Sequence, residues 1–392
     1  MTGPRRIALP GGAVLVTAAP PAAEAPPPLV AAATLAVPLA GAGRAAALAA
    51  PLAAFGWARS VTALARRAGA AVRAEPVTTA DFTGLTLETP AEEARALGRL
   101  ADWFAELPHH PPPSAVPAGA PTAEHHSDPL RRALFGSGHR YAIGHDERSE
   151  YLASRSPEGI HADAAGLLGR APVVALSHAA PATVDALAAA LSAAVFRPAP
   201  ATVPLPARPP VSRTLPAGPG RAWYLLGTAG VPLASPAKYA LHVAWAVAGG
   251  RGGLLDRSLR RGRALTYSLA AFSREFAEGG YCMCAAACEE RVAAEVAERV
   301  RAVLQGLAEE AIAPGLLEPA KEQLIVRGHQ ALETARGTTE RLVGYEVAGV
   351  PAATAADYAA HIARVTPGQV RDAFRWCLDP PGHPYRRKGE AP

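Results

Sequence analysis

Between Pro198 and Pro219 the chain is so rich in proline that no helix or central strand is expected to run through it. Each proline lacks a backbone N–H and holds φ at about −65°. The stretch reads as a linker, and 392 residues exceed what one typical core holds. The expected organisation is an amino-terminal unit over 1–197, a linker over 198–219 and a carboxy-terminal unit over 220–392. Both parts run in the same order of hairpin or strand, helix, strands, then helices, which predicts a duplicated unit of the α+β class.

In the first part, residues 5 to 17, RRIALPGGAVLVT, read as strand, Gly-Gly turn and strand. LVAAATLAVPLAG reads as the next strand. Arg44 to Ala54 and Val61 to Ala71 then read as two helices, with strands around Val72 to Ala74 and Phe82 to Glu88. Thr89 as a cap, Pro90 at the first helical position, and Glu92 and Glu93 in the first turn predict a helix from Pro90 to Leu107. Residues 108 to 121 are a loop by composition, and a strand at 172–178 and a helix from Ala182 to Phe196 complete the unit. In the second part, strands are expected at Ala222–Gly227, Thr266–Phe272 and Tyr281–Ala287. Helices are expected at Ser235–Ala248, Glu290–Glu310, Leu316–Gly337, Thr338–Val347, Ala355–Arg364 and from Thr366-Pro367 to Trp376.

Hydrophobic residues make up 49% of the chain and charged ones 19%, so cores can form and general disorder is excluded. A net charge of +5 is mild for this length, and no basic block with interleaved aromatics marks a nucleic-acid surface. Pro10 and Gly11-Gly12 break the apolar run near the start before it reaches signal-peptide length, and no apolar run of about 18 residues is free of proline and charge. A soluble cytoplasmic protein that binds neither nucleic acid nor membrane is the expectation.

Two clusters invite a metal reading. Cys282, Cys284 and Cys288 lie in YCMCAAAC, but their spacing matches no common zinc site, and alternation with Tyr281 and Met283 predicts one face of a strand. Glu124, His125 and His126 unite a carboxylate with paired histidines. Adjacent residues of a helix point about 100° apart, so exposed residues at a helix start are expected, with a self-sufficient metal site as the alternative. His139, His145 and His161 are scattered and carry no assigned chemistry.

The stretch GGRGGLLDRSLRRGRALTY, Gly249 to Tyr267, combines a Gly cluster, a short Leu/Arg-rich helical segment and a strand start. Arg260 and Tyr267 are its two candidate functional residues. A guanidinium fork and a phenol converging on one oxygen-rich ligand is the functional reading. Dipole complementation by the arginines and half-buried packing of the tyrosine is the alternative.

The second part resembles the pitrilysin/insulinase-type metallopeptidases, the family of mitochondrial processing peptidase. The likeness is carried by Gly249-Gly250, Leu254-Leu255, Leu259-Arg260, Tyr267-Ser268, LLEPAKEQLIVRGHQALET and DYAAHIARVTPGQVRDAFRWCLDP. In the first part it is carried more loosely by ALPGGAVLV, GAGRAAALAA, VTTADFTGLTLETP and HRYAIG. The resemblance implies mixed, largely antiparallel sheets with helices packed on one face.

Active members of that family carry H-x-x-E-H on the first helix, two zinc-binding histidines and a water-activating glutamate. The window here is APLAA, so Ala50, Ala53 and Ala54 stand at those positions and this chain is expected to bind no metal. In the family's two-part enzymes the other half supplies an Arg and a Tyr seven residues apart, and Arg260 and Tyr267 match them. The resemblance therefore implies a zinc-less subunit that meets a peptide substrate and a homologous zinc-bearing partner with H-x-x-E-H. An inert structural or substrate-binding scaffold of the same fold is the alternative.

Overall fold

The protein is described by a computed structural model, which covers residues 4–18, 28–107, 127–250, 252–261 and 264–380. In chain order its strands are β1 (Arg5–Ala8), β2 (Val14–Thr17), β3 (Val30–Pro38), β4 (Arg73–Thr78), β5 (Phe82–Pro90), β6 (Val173–Ser177), β7 (Val211–Pro216), β8 (Arg221–Gly230), β9 (Thr266–Glu275) and β10 (Gly280–Glu289). The helices of the first half are α1 (Arg44–Arg67), α2 (Leu100–Glu106), α3 (Asp128–Phe135), α4 (His145–Ser154), α5 (Pro157–Leu168) and α6 (Pro181–Ala193). Those of the second are α7 (Lys238–Gly249), α8 (Leu254–Asp256), α9 (Ala293–Glu309), α10 (Pro314–Gln330), α11 (Ala335–Val347), α12 (Tyr358–Ala363) and α13 (Pro367–Leu378).

The described residues form two compact units that interleave along the chain. One draws on Met1–Ala120, Asp146–Thr202 and Gly328–Asp357, the other on Pro121–His145, Val203–Arg327 and Tyr358–Pro392. These are not the contiguous halves 1–197 and 220–392 expected from the proline stretch. The stretch itself is not all linker, because Val211–Pro216 is β7, paired along β8 at the sheet edge, where missing proline donors do not break a ladder.

The first unit holds a six-stranded sheet in the order β1-β2-β6-β3-β5-β4, antiparallel except where β2 runs parallel to β6. Central β3 is buried along nearly its whole length, which matches an apolar run interrupted only by Thr34. Helix α1 covers the face of β5 that carries Thr83, whose hydroxyl donates to the Ala50 carbonyl at 2.9 Å. It is a single helix of 24 residues, not two separated near Phe55-Gly56-Trp57, and it runs through Pro51. Burial of Leu48, Leu52, Trp57 and Val61 outweighs the one lost backbone bond. Among the described residues α1 alone has the length and hydropathy to cross a bilayer, and most of that apolar window is buried in this unit.

The opposite face of the same sheet is covered by α11, from late in the chain. Thr34 and Thr86 are cross-strand partners whose hydroxyls lie 3.0 Å apart, and Thr339 of α11 reaches Thr34 at 2.7 Å. Arg336 pairs with Glu340 within the helix at 2.7 Å and ties α11 to Glu75 of β4. The hydrogen bond from Arg336 holds the Glu75 carboxyl below its ordinary range.

The expected helix from Pro90 to Leu107 is replaced by β5 reaching Pro90, 3₁₀ turns over Ala91–Arg99, and α2. Thr89, expected as its cap, donates its hydroxyl to the Ala71 carbonyl, while Pro90 pairs with Val30.

The second unit is a four-stranded antiparallel sheet in the order β7-β8-β10-β9. Tyr224 and Leu226 of β8 and Cys282, Cys284 and Cys288 of β10 belong to one core with Trp245 of α7, Val296 and Val300 of α9 and Phe374 of α13. The cysteines thus form the strand face that alternation predicts. Helix α13 opens on a capping box, Thr366 with Gln369, as expected. Here too the second face is covered from elsewhere in the chain. A Cβ on Gly227 would lie 3.2 Å from Leu130 and Leu134 of α3, and Phe135 meets Tyr281 edge-on at 6.2 Å.

Candidate functional site

The Gly249–Tyr267 connection joins α7 to the edge strand β9. Glycine at its start answers to packing. A Cβ on Gly249 would fall 2.1 Å from the Ala271 Cβ of β9, and one on Gly250 would fall 2.4 Å from the Ala246 carbonyl. Gly249 is nevertheless the last residue of α7, and Gly252 makes the turn with φ +78°.

Helix α8 widens into a π turn over Arg257–Arg261, a geometry often met at functional sites. Leu255 and Leu259 are fully buried and pin one side of it to the core, which turns Arg260 and Arg261 outward. The turn is closed by Ala264 at φ +50°. Its N–H bonds the Arg260 carbonyl at 3.1 Å, and the Leu265 N–H bonds the Leu259 carbonyl at 2.8 Å, the pairing of a left-handed helix stop. A left-handed alanine costs ~1–2 kcal/mol, less than the ~2 kcal/mol that each fully buried leucine contributes.

Tyr267 then falls on a bulge. Thr266 pairs with Cys288 and Ser268 with Ala287, so Tyr267 has no partner across the ladder. The irregularity leaves its side chain 53% exposed, with the Arg221 guanidinium 6.0 Å from its ring centre. Sequence reading expected a strand to begin at Thr266 but gave no sign of the bulge.

A cavity of about 580 Å³ is lined by Gly249, Gly250, Asp256, Arg260, Arg261 and Leu269. Asp256 organises its charges, with Oδ1 3.7 Å from Arg260 Nη1 and Oδ2 accepting from Arg261 Nε at 3.0 Å. Tyr267 is not part of this lining. Arg260 sits on the π turn and Tyr267 on β9, and of the two only Arg260 is among the described residues that line this cavity. Asp256, Arg261 and Arg221 are site residues that sequence reading missed, although the four-residue spacing of Asp256 and Arg260 is itself a helix ion-pair signal.

The window that would correspond to H-x-x-E-H lies inside α1. Ala50, Ala53 and Ala54 are at most 1% exposed and offer only methyl groups, so these positions do not fit a zinc ion. Glu124, His125 and His126 lie outside the described residues. Among the described residues no group of three or more His, Cys, Asp or Glu side chains is placed to hold a metal. All four cysteines are free and buried, and burial pushes the Cys284 thiol up to about 12, which keeps it a neutral packing group.

His139 pairs with Glu278 at 2.9 Å beside Arg140, and His145 gives its backbone N–H to Asp128. A further pair, His242 and Glu275 at 2.6 Å, is buried in the second unit. Burial pushes the Glu275 carboxyl up, but His242 and Ser273 outweigh it and leave the group below its ordinary range.

Residues 181–324 match the family described as peptidase M16 inactive domain. A crystal structure of a peptidase M16 inactive domain from Pseudomonas fluorescens is similar at 18% identity and a TM-score of 0.74, covering 96% of each chain. A chain of complex III2 from Candida albicans is similar at 15% identity and a TM-score of 0.67, covering 95% of this chain and 92% of that one. The periplasmic protease PqqL from Escherichia coli is similar at 11% identity and a TM-score of 0.65, over 96% of this chain but only 44% of that one. No curated protein matches the sequence at a significant level.

Proposed function

We propose, from the match of residues 181–324 to the family described as peptidase M16 inactive domain, that the chain is the non-zinc-binding subunit of a heterodimeric zinc metalloendopeptidase. Arg260 and Tyr267 would be its contribution to the shared active site. The observation that carries this reading is the Tyr267 bulge, which exposes a phenol on an edge strand directly after a π turn bearing Arg260. A phenol left outside the ladder is available as a hydrogen-bond donor, and an edge strand suits an extended peptide.

In this reading the Tyr267 hydroxyl donates to the oxygen of the scissile carbonyl as that carbon becomes tetrahedral. Arg260 holds a neighbouring substrate carbonyl or orients the tyrosine. The zinc and its water-activating glutamate belong to the partner, a homologous chain with H-x-x-E-H. The PqqL likeness agrees with a two-part enzyme, since this chain spans less than half of that one. Buried free thiols agree with a reducing, cytoplasmic setting.

Mixing the chain with its H-x-x-E-H partner is expected to create zinc-dependent peptidase activity that neither has alone. Tyr267→Phe is expected to lower kcat by about 10²-fold, the worth of one preorganised oxyanion donor, while co-elution with the partner is kept. An unchanged kcat would sink the oxyanion role.

The second reading is a scaffold without chemistry, which the likeness to a chain of complex III2 favours. It is the reading that stands if neither Arg260→Ala nor Tyr267→Phe alters the partner's activity.

A further inference from the structure

Among the described residues, the cavity beside the π turn carries two positive charges against one negative. The Asp256 carboxylate is mostly buried and already divided, one oxygen facing Arg260 at 3.7 Å and the other accepting from Arg261 at 3.0 Å. Neither arginine is gripped by both oxygens at once. A guanidinium has five N–H donors, so each retains donors that Asp256 does not use. The remaining lining residues among those described, Gly249, Gly250 and Leu269, supply no side-chain acceptor.

We infer that this cavity receives a carboxylate of the peptide, with Arg261 as the residue that reads it and Asp256 as an internal competitor that keeps the two guanidinium groups side by side. This rests on the reading of the chain as a peptide-binding subunit. A carboxylate is planar with two oxygens and matches the guanidinium fork, whereas a neutral amide offers a single oxygen and no charge. Arg261 and Arg260 are more than half exposed, and ion pairs of that kind are weak. An incoming carboxylate therefore displaces or shares them at little cost. The same chemistry comes from an acidic side chain or from a free carboxy terminus.

The test uses the full chain without a partner and reads fluorescence anisotropy of labelled Ala/Ser-based peptides. Each peptide carries Glu or Gln at one position and ends as free acid or amide. The Glu amide binding about fivefold or more tighter than the Gln amide assigns the side chain as source. The Gln acid binding tighter than the Gln amide assigns the carboxy terminus. Arg261→Gln is expected to abolish the preference, Arg261→Lys to restore part of it, and Asp256→Asn to enlarge it, with circular dichroism reporting that each variant is folded.

The inference is overturned if all four peptides bind alike, if none binds, or if the preference survives Arg261→Gln in a folded protein. No cleavage enters this measurement. A carboxylate preference beside an unaffected Tyr267→Phe rejects the catalytic reading alone, and a Tyr267 effect without the preference rejects this inference alone.

Discussion

Two segments occupy positions where the family resemblance places chemistry, and they have opposite local structures. The Ala50–Ala54 window is regular helix, its alanines buried within the core of the first unit. The Gly249–Tyr267 connection keeps a π turn, a left-handed alanine and a bulge that exposes a tyrosine. Where polar side chains are missing, packing is free to optimise and methyl groups fill the space. Where irregular geometry persists at an energetic cost, burial of Leu255 and Leu259 offsets it, and the outliers mark the segment to test for function.

The comparison breaks most decisively at the alanine window. The combined change Ala50→His, Ala53→Glu and Ala54→His inserts large polar groups into a filled core. It is expected to destabilise the chain by more than ~3 kcal/mol in chemical denaturation. A variant as stable as the parent that takes up stoichiometric zinc would mean that α1 retains a latent site.

A smaller effect is expected at the other segment. Gly249→Ala forces a Cβ to within 2.1 Å of the Ala271 Cβ, so α7 must move away from β9. A loss of roughly 1–3 kcal/mol is expected in the same measurement, because overpacking costs about that much. No loss would show that the helix end adjusts freely and that its glycine is not a packing requirement.

The smallest effect has the opposite sign. Ala264→Gly relieves a left-handed conformation and is expected to raise stability by roughly 0.5–1 kcal/mol, less than the full penalty because glycine also loses more entropy on folding. The sharper readout is peptidase activity of the mixed subunits. A more stable but less active variant would tie the alanine to holding Arg260 and Tyr267 in place, and a destabilised one would remove the strain from the comparison.

Much of the fold was legible because it rests on short-range rules. Alternation of Cys282 and Cys284 with Tyr281 and Met283 marked β10 and the one face that the cysteines share, and Thr366-Pro367 marked the start of α13. The errors came where tertiary contacts overrode local signals. The stretch around Phe55-Gly56-Trp57 reads as a gap between two helices, yet the core face of α1 keeps the helix whole. Thr89 and Pro90 read as a helix start, yet pairing with β3 extends β5 through them.

The site divides in the same way. Arg260 and Tyr267 could be named from their types, their spacing and the family resemblance, and the loss of polar groups at Ala50, Ala53 and Ala54 is a fact of the sequence. The bulge could not be foreseen, because a one-residue slip depends on the partner strand β10 and leaves no periodic trace in β9. Nor could the grouping of Arg261 with Arg260 around Asp256, which depends on the turn widening from α to π.

By itself the sequence determined the α+β class, the repeated order of elements and the absence of ligand side chains from the alanine window, since composition and periodicity act over a few residues. Only tertiary structure decided that each sheet takes a covering helix from the other half of the chain, α11 in the first unit and α3 in the second. A sheet buried on both faces needs apolar surface from somewhere, and no local pattern says which distant helix supplies it.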